Sequence, residues 1–264
     1  MTSTATSFDL DRLRAAPQIR ELRYFDSIDS TNSAALAAAR ERAAECPALF
    51  LTPQQTAGRG RGANRWHSDQ GALTFSLLLT PPAELARAHW SKLAITTAVA
   101  ICRLLDRRAP AARSGIRWPN DVYSDGRKIA GILVEAPAVS EGPPQVVIGV
   151  GLNVNNSLAA APTDVQARAI ALTDLVGKSV DLTATLLELL FDIETDLARL
   201  AAQHRSLADD WKTRCLLRGS TVTLEHGPRQ VRGYCHGIDD DASLLLDSGR
   251  GAERFYAGVL LAIE

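Results

Sequence analysis

Ala48-Leu49-Phe50-Leu51-Thr52 runs into Gln55-Thr56-Ala57-Gly58-Arg59-Gly60-Arg61-Gly62, and Trp66 follows shortly after. The first of these stretches has the length and apolar content of a short buried strand. In the second, Gly58, Gly60 and Gly62 alternate with Arg59 and Arg61. Glycine reaches φ > 0 freely, so such a backbone can turn several N–H groups toward one point. The guanidiniums add permanent charge and forked donors suited to carboxylate and phosphate oxygens. Taken alone, the run fits a flexible linker or an RNA-contacting tail as well as a loop made to close over an anion. The segments on either side separate these readings.

Downstream, Leu73 to Leu79 forms a second apolar strand, stopped by Pro81-Pro82. Upstream, Asp29-Ser30-Thr31-Asn32 offers a polar N-cap to an alanine-rich helix expected from Ser33 to Glu45. Apolar residues at helical spacing predict a long buried helix from Trp90 to Leu105. A turn at Ser124-Asp125-Gly126 leads into a strand from Lys128 to Glu135. Pro137 to Pro144 reads as a hairpin connection into a further strand, Val146 to Val154. The stretch from Asn155 to Gly177 predicts mostly loop with one short helix. Leu182 to Leu200 predicts an amphipathic helix with Leu186, Leu189, Leu190, Ile193, Leu197 and Leu200 on one face.

Beyond residue 213 the character changes. Thr221–Glu225, Gln230–Gly237, Ser243–Leu246 and Arg254–Tyr256 are short strand-like pieces punctuated by glycine. They predict a small all-β barrel of ~50 residues. The expected fold class is therefore α+β, with a larger unit over residues 1–213 and a small barrel over 214–264.

The composition narrows the function. The chain has 264 residues, 46% apolar and 22% charged, with a net charge of −1, so no strongly basic surface awaits a polyanion. Cys46, Cys102, Cys215 and Cys235 show no C-x-x-C spacing and predict reduced, buried thiols. No basic-then-apolar leader opens the chain, and no run approaches the ~20 apolar residues of a membrane span. A cytoplasmic protein without a membrane contact is expected.

Polar and glycine-rich motifs interrupt this apolar frame. Ser30-Thr31-Asn32 can cap a helix or fix a polar heterocycle. Lys128 opens an apolar strand that contains Gly131, while Gly149 and Gly151 gap the strand Gly149-Val150-Gly151-Leu152-Asn153. Glycine within a strand marks close approach by a ligand or another backbone. With Arg117-Trp118-Pro119-Asn120-Asp121, these features predict a slot for a flat ligand beside an anion clamp.

The motifs Ser30-Thr31-Asn32, Gln55 to Arg61, Trp118-Pro119-Asn120-Asp121, Lys128-Ile129-Ala130-Gly131-Ile132-Leu133-Val134-Glu135 and Gly149 to Asn153 together resemble the biotin protein ligases. The order and spacing match from about residue 24 to 155, and the β tail matches the family's small C-terminal barrel. The resemblance implies a catalytic domain like that of class II aminoacyl-tRNA synthetases and an SH3-like C-terminal barrel. It also implies a two-step reaction. Biotin and MgATP give biotinyl-5′-AMP and pyrophosphate, and a lysine of a biotin carboxyl carrier protein then takes the biotinyl group and releases AMP.

On that resemblance Lys128 would bridge the biotin carboxylate and the α-phosphate, with Arg59 and Arg61 screening charge. Ser30, Thr31, Asn32, Gln55, Gly58, Arg59, Gly60, Arg61, Lys128, Gly131, Gly149 and Gly151 would form the biotin site. Arg61, Trp66, Asn120, Lys128 and Asn153 would face ATP, and Asn153 is the candidate nearest Mg²⁺. Asp121 would orient the acceptor amine or serve as a structural carboxylate.

The chain departs from the family pattern at Asn64, an arginine in many members, at Arg117, usually lysine, and around Ala169-Ile170, where no aromatic is placed for adenine. The stretch before Ser30 is too short for the DNA-binding domain that some members carry, so no DNA binding is expected. A monomer and a homodimer both fit. The alternative is a lipoate or octanoate ligase, which shares the fold and the chemistry.

Overall fold

The computed structural model describes residues 7–81, 85, 90–137 and 142–264. Along the chain come α1 (Leu10–Arg14), β1 (Glu21–Tyr24), α2 (Thr31–Arg40), β2 (Ala48–Thr52), β3 (Leu73–Leu79) and α3 (Ser91–Arg108). Then follow β4 (Ser114–Arg117), β5 (Asp121–Ser124), β6 (Arg127–Glu135) and β7 (Val146–Leu152), and the helices α4 (Thr163–Arg168), α5 (Leu172–Val176), α6 (Leu182–Ala201) and α7 (Arg205–Arg214). The chain closes with β8 (Thr221–His226), β9 (Arg229–Ile238), β10 (Leu244–Asp247), β11 (Ala252–Phe255) and β12 (Val259–Ile263).

The first seven strands form one sheet in the order β1-β2-β3-β7-β6-β5-β4, antiparallel except for the parallel pair β1/β2. Both faces of its centre are covered, which is why β2, β3 and β7 are apolar almost throughout. Successive residues go to opposite sides. Ala48, Phe50, Leu78 and Val147 pack under Ala35, Leu36, Ala38 and Ala39 of α2. Leu49, Leu51, Phe75, Leu77 and Ile148 join the larger core beneath α3 and α6.

The last five strands form a separate antiparallel sheet, ordered β11-β10-β9-β8-β12. Val222, Leu224, Cys235, Leu244, Leu246 and Phe255 are buried within it. It leans on the large sheet through the buried Trp118, whose indole N–H donates to the Ala242 carbonyl at 3.1 Å.

The α+β class is as expected, and β2 and β3 fall on the residues the sequence indicates. Three segments differ. The helix expected to reach Glu45 stops at Arg40. There Arg42 adopts φ 53° and Ala43 N–H returns to the Ala38 carbonyl, a Schellman-type stop that alanine propensity cannot foresee. The segment after Asn155 holds two short helices, α4 and α5. The small β unit gains a strand, β12, whose residues Val259, Leu261 and Ile263 are exposed.

Pro82 and residues 138–141 of the expected hairpin connection lie outside the described residues. All four cysteines are free thiols, but the fold brings Cys215 and Cys235, distant in sequence, into a mutual hydrogen bond.

Candidate active site

The pairing register lays out a floor. Thr74, Gly151, Gly131 and Asp121 stand opposite one another across β3, β7, β6 and β5, and Ser76, Gly149 and Leu133 form the neighbouring row. A third row, Leu78, Val147 and Glu135, runs beneath α2. The two glycine-bearing rows continue past the N-terminus of α2, and the Gly/Arg loop lies over them. Between loop, floor and the segment Gly258–Leu260 opens a cavity of about 970 Å³. Small-molecule sites span ~300–1,000 Å³, so a ligand of nucleotide size fits.

The structure fills two of the expected glycine gaps with protein. A Cβ at Gly149 would lie 2.0 Å from Asn32 Oδ1, and one at Gly151 would lie 2.2 Å from the Trp66 ring. The glycines therefore admit Asn32 and Trp66, and the ligand slot lies beside these side chains. Gly131 faces Lys128 Nζ and Asp121. The loop glycines also divide by role. Only Gly62 of the three takes positive φ, at 63°. Gly58 is needed for close approach, since a Cβ there would meet the Trp66 carbonyl at 2.4 Å, and Gly60 lies tightly against Asn64.

One end of the cavity is built for hydrogen bonding. Ser30 caps α2, its Oγ accepting from Ser33 N–H at 3.4 Å. Gln55 Oε1 accepts from Thr31 N–H at 2.7 Å and lies 3.2 Å from Thr31 Oγ1. Ser76 Oγ lies 2.8 Å from Thr31 Oγ1 and 2.5 Å from Asn32 Oδ1. Asn32 Nδ2 donates to the Leu133 carbonyl at 3.2 Å and to Glu135 Oε2 at 2.9 Å. Asn32 is therefore engaged on both sides of its amide, as a brace. The hydroxyl of Ser30 and the amide nitrogen of Gln55 are the groups at this end left to face a ligand.

The other end carries the charge. Lys128 Nζ is 2.8 Å from Asp121 Oδ1, with both side chains partly exposed to the cavity. Arg61 reaches the Gly258 carbonyl across the cavity mouth. Burial lowers the Arg61 guanidinium from its ordinary pKa, and the nearby Asp121 opposes that shift. Arg117 donates to Tyr123 Oη at 3.0 Å and lies over its ring. Asn120, which lines the cavity, has its Nδ2 engaged with the Ile132 carbonyl at 2.8 Å.

Two expectations change here. Arg59 and Arg61 do not act side by side, because Arg59 points to the hydrogen-bonding end and pairs with Glu135 Oε1 at 2.5 Å. Asn153 is buried, donates to the Ile170 carbonyl at 3.2 Å and accepts from Asn156 at 3.1 Å. Its oxygen is a poor candidate for a metal, and no cluster of three His, Cys, Asp or Glu suited to a metal occurs among the described residues.

Residues 24–153 match the biotin/lipoate A/B protein ligase family. A biotin--[acetyl-CoA-carboxylase] ligase of Mycobacterium tuberculosis is 33% identical over 236 residues, covering 87% of this chain and 84% of its own. A ligase of the same name from Paracoccus denitrificans is 31% identical over 243 residues, covering 87% of this chain and 98% of its own. This chain belongs to the biotin/lipoate A/B protein ligase family. It is a ligase, and its fold agrees with a biotin protein ligase from Aquifex aeolicus in complex with biotin and ATP. The TM-score is 0.79 at 24% identity, over 93% of this chain and 99% of that one. No helix among the described residues is long and apolar enough to cross a membrane.

Several residues of this ligase's site escape a motif reading. Ser76 sits mid-strand among leucines, a buried hydroxyl whose polarity was its one signal. Glu135 closes the Lys128–Glu135 motif, but its role there is hidden, because a charge at the end of an apolar strand reads as a solvated terminus. Gly258 looks like a turn glycine remote from every motif, and only the placement of the C-terminal sheet brings it to the cavity.

Proposed function

We propose that this chain joins biotin to a lysine of a biotin carboxyl carrier protein in two steps, with ATP as co-substrate. The observation that carries this reading is one continuous cavity with hydrogen-bonding groups at one end and the Lys128–Asp121 pair at the other. A neutral polar ring with a carboxylate tail suits that polarity. In the first step a carboxylate oxygen of biotin attacks the α-phosphorus, and the bond to pyrophosphate breaks. In the second the lysine amine attacks the acyl carbon, loses a proton, and AMP departs with the electrons of the C–O bond.

Two anions must meet in the first step, so preorganised cations have most to contribute. Lys128 would hold carboxylate and α-phosphate together, and Arg61 would cover the phosphate from the loop. Ser30 and Gln55 would orient the polar ring, with Thr31 fixing Gln55 and Arg59 above them. Asp121, paired with Lys128, would orient the incoming amine. Mg²⁺ brought by ATP would neutralise phosphate charge, held mainly by phosphates and water, and Asp121 is the cavity carboxylate nearest Lys128 that could face it. Adenine would pack on Leu158, Pro162, Val165 and Ala169, an aliphatic wall where an aromatic is absent. Residues 1–213 would form the catalytic unit and 214–264 the C-terminal one.

Pyrophosphate exchange into ATP tests the reading. Biotin should support exchange and lipoate should not. Lys128→Ala should lower biotin-dependent exchange by at least about a hundredfold, the scale of losing one preorganised charge-stabilising donor. The fold should survive, because Lys128 lies at the cavity edge. Exchange with lipoate but not biotin would move the chain to the other branch of its family, and a fully active Lys128→Ala would remove that lysine from the chemistry.

A further inference from the structure

Among the described residues, loop residues 59–65 are tied to the rest of the protein by two side-chain hydrogen bonds, Arg59 to Glu135 and Arg61 to the Gly258 carbonyl. The other bonds of this stretch are internal, Gly60 N–H to the Asn64 carbonyl at 2.8 Å and Asn64 N–H to the Arg61 carbonyl at 3.2 Å. The Arg59 anchor is unusual in what it shares. Glu135 is the last residue of β6, the rigid strand that also carries Lys128 and Gly131. One of its oxygens holds Arg59 at 2.5 Å, and the other holds Asn32 Nδ2 at 2.9 Å. Asn32 in turn meets Ser76, which meets Thr31, which meets Gln55.

We infer that Glu135 is a positioning residue for ligation, fixing the loop arginine and the ring-recognition groups as one unit. The inference rests on the biotin ligase reading and adds a residue that the site motifs do not assign. A carboxylate is required because only it accepts from a guanidinium and an amide on separate oxygens. Glutamine would turn an NH₂ group toward one of these donors. The ring-binding end and the cover over it are thereby set by the same side chain, so a loosened loop also misplaces the braced amide.

Glu135→Gln tests this directly. In biotin-dependent pyrophosphate exchange, KM for biotin should rise about tenfold, the scale of one hydrogen bond to a charged group, with kcat within about twofold of wild type. Amide exchange of residues 58–66 should quicken in the same variant. A merely structural role would lower Tm without separating KM from kcat.

Arg59→Ala, made on the exposed loop, reads the same anchor from its other side, so the double variant should be no worse in biotin KM than the weaker single. Additive effects, or an unchanged KM in either single variant, overturn the inference. Wild-type protein in the same assay separates the two levels. Absence of biotin-dependent exchange there defeats the parent reading, whereas active wild type with an indifferent Glu135→Gln defeats this one.

Discussion

Asp196 illustrates how strongly a single residue can be set by its surroundings in this fold. Its side chain is fully buried between α3, α6 and α7. Its Oδ1 accepts from Arg103 and Arg199 at 2.8 Å each, while Oδ2 is buried without a hydrogen-bond partner. Burial pushes its pKa from 3.8 up to about 6; Arg103 opposes this, and the neighbouring Asp210 and Asp192 add to it. The folded value lies above the unfolded one, so the native state binds the proton more tightly between them. The stability contributed by this group is complete below 3.8 and is lost as pH rises toward about 6. A shift of this size corresponds to up to about 3 kcal/mol. Asp196→Asn removes the titration. The Tm of the variant relative to wild type should therefore climb by roughly 5 °C between about pH 4 and about pH 6.5. A Tm difference that stays flat over that range would show that the carboxylate remains ionised throughout.

At the scale of elements, β7 carries a contrast between two glycines on one face. Alanine at Gly149 would press on Asn32, which is locked to Ser76, the Leu133 carbonyl and Glu135, so the braced network must break. Alanine at Gly151 would press on Trp66, which belongs to the loop and whose indole N–H is buried without a partner. Gly149→Ala should therefore lower stability by about 1–3 kcal/mol, the usual range for overpacking. Gly151→Ala should leave Tm nearly unchanged while lowering adenylation, because the ring can swing out with the loop. Thermal melts and exchange assays on the pair check this, and the reverse ordering of Tm would sink it.

The same strand marks what a sequence can and cannot display. β2, β3 and β7 are legible because a sheet covered on both faces must be apolar along its length. The glycine gaps are legible too, yet their occupants, Asn32 and Trp66, depend on tertiary approach. The close of α2 turns on the backbone of Arg42, and β12 lacks the alternation that makes a strand visible. Arg59 and Arg61 were readable as one cationic loop, but their division between the two ends of the cavity is set by their partners, Glu135 at the end of β6 and the Gly258 carbonyl, which only the fold brings to the loop.

Across the whole molecule, the Gly/Arg loop is one of the joints between the two sheets. Trp118 anchors the C-terminal sheet to the larger one from below, and Arg61 reaches its Gly258 carbonyl from above the cavity. Gly258 suits that contact. Its φ is 156°, and a Cβ there would lie 2.6 Å from Leu224 Cδ1 and 2.9 Å from the Glu225 carbonyl. On the proposed reading, closing the cavity over a reactive adenylate would depend on this contact between parts of the chain nearly two hundred residues apart, at a separation of 197. Excluding water and stray amines at that point would protect the intermediate. Arg61→Gly deletes the joint while leaving Lys128 and Asp121 in place. The variant should still form biotinyl-AMP, but release it about tenfold faster or more, the scale of losing a hydrogen bond to a charged group. Lysines of unrelated proteins mixed with it should then acquire biotin, detectable by streptavidin blotting against a wild-type control. If Arg61→Gly makes no adenylate, the arginine belongs to the chemistry of the first step before it serves as a closure. If it makes adenylate and retains it as wild type does, the joint between loop and C-terminal sheet is not what holds the intermediate.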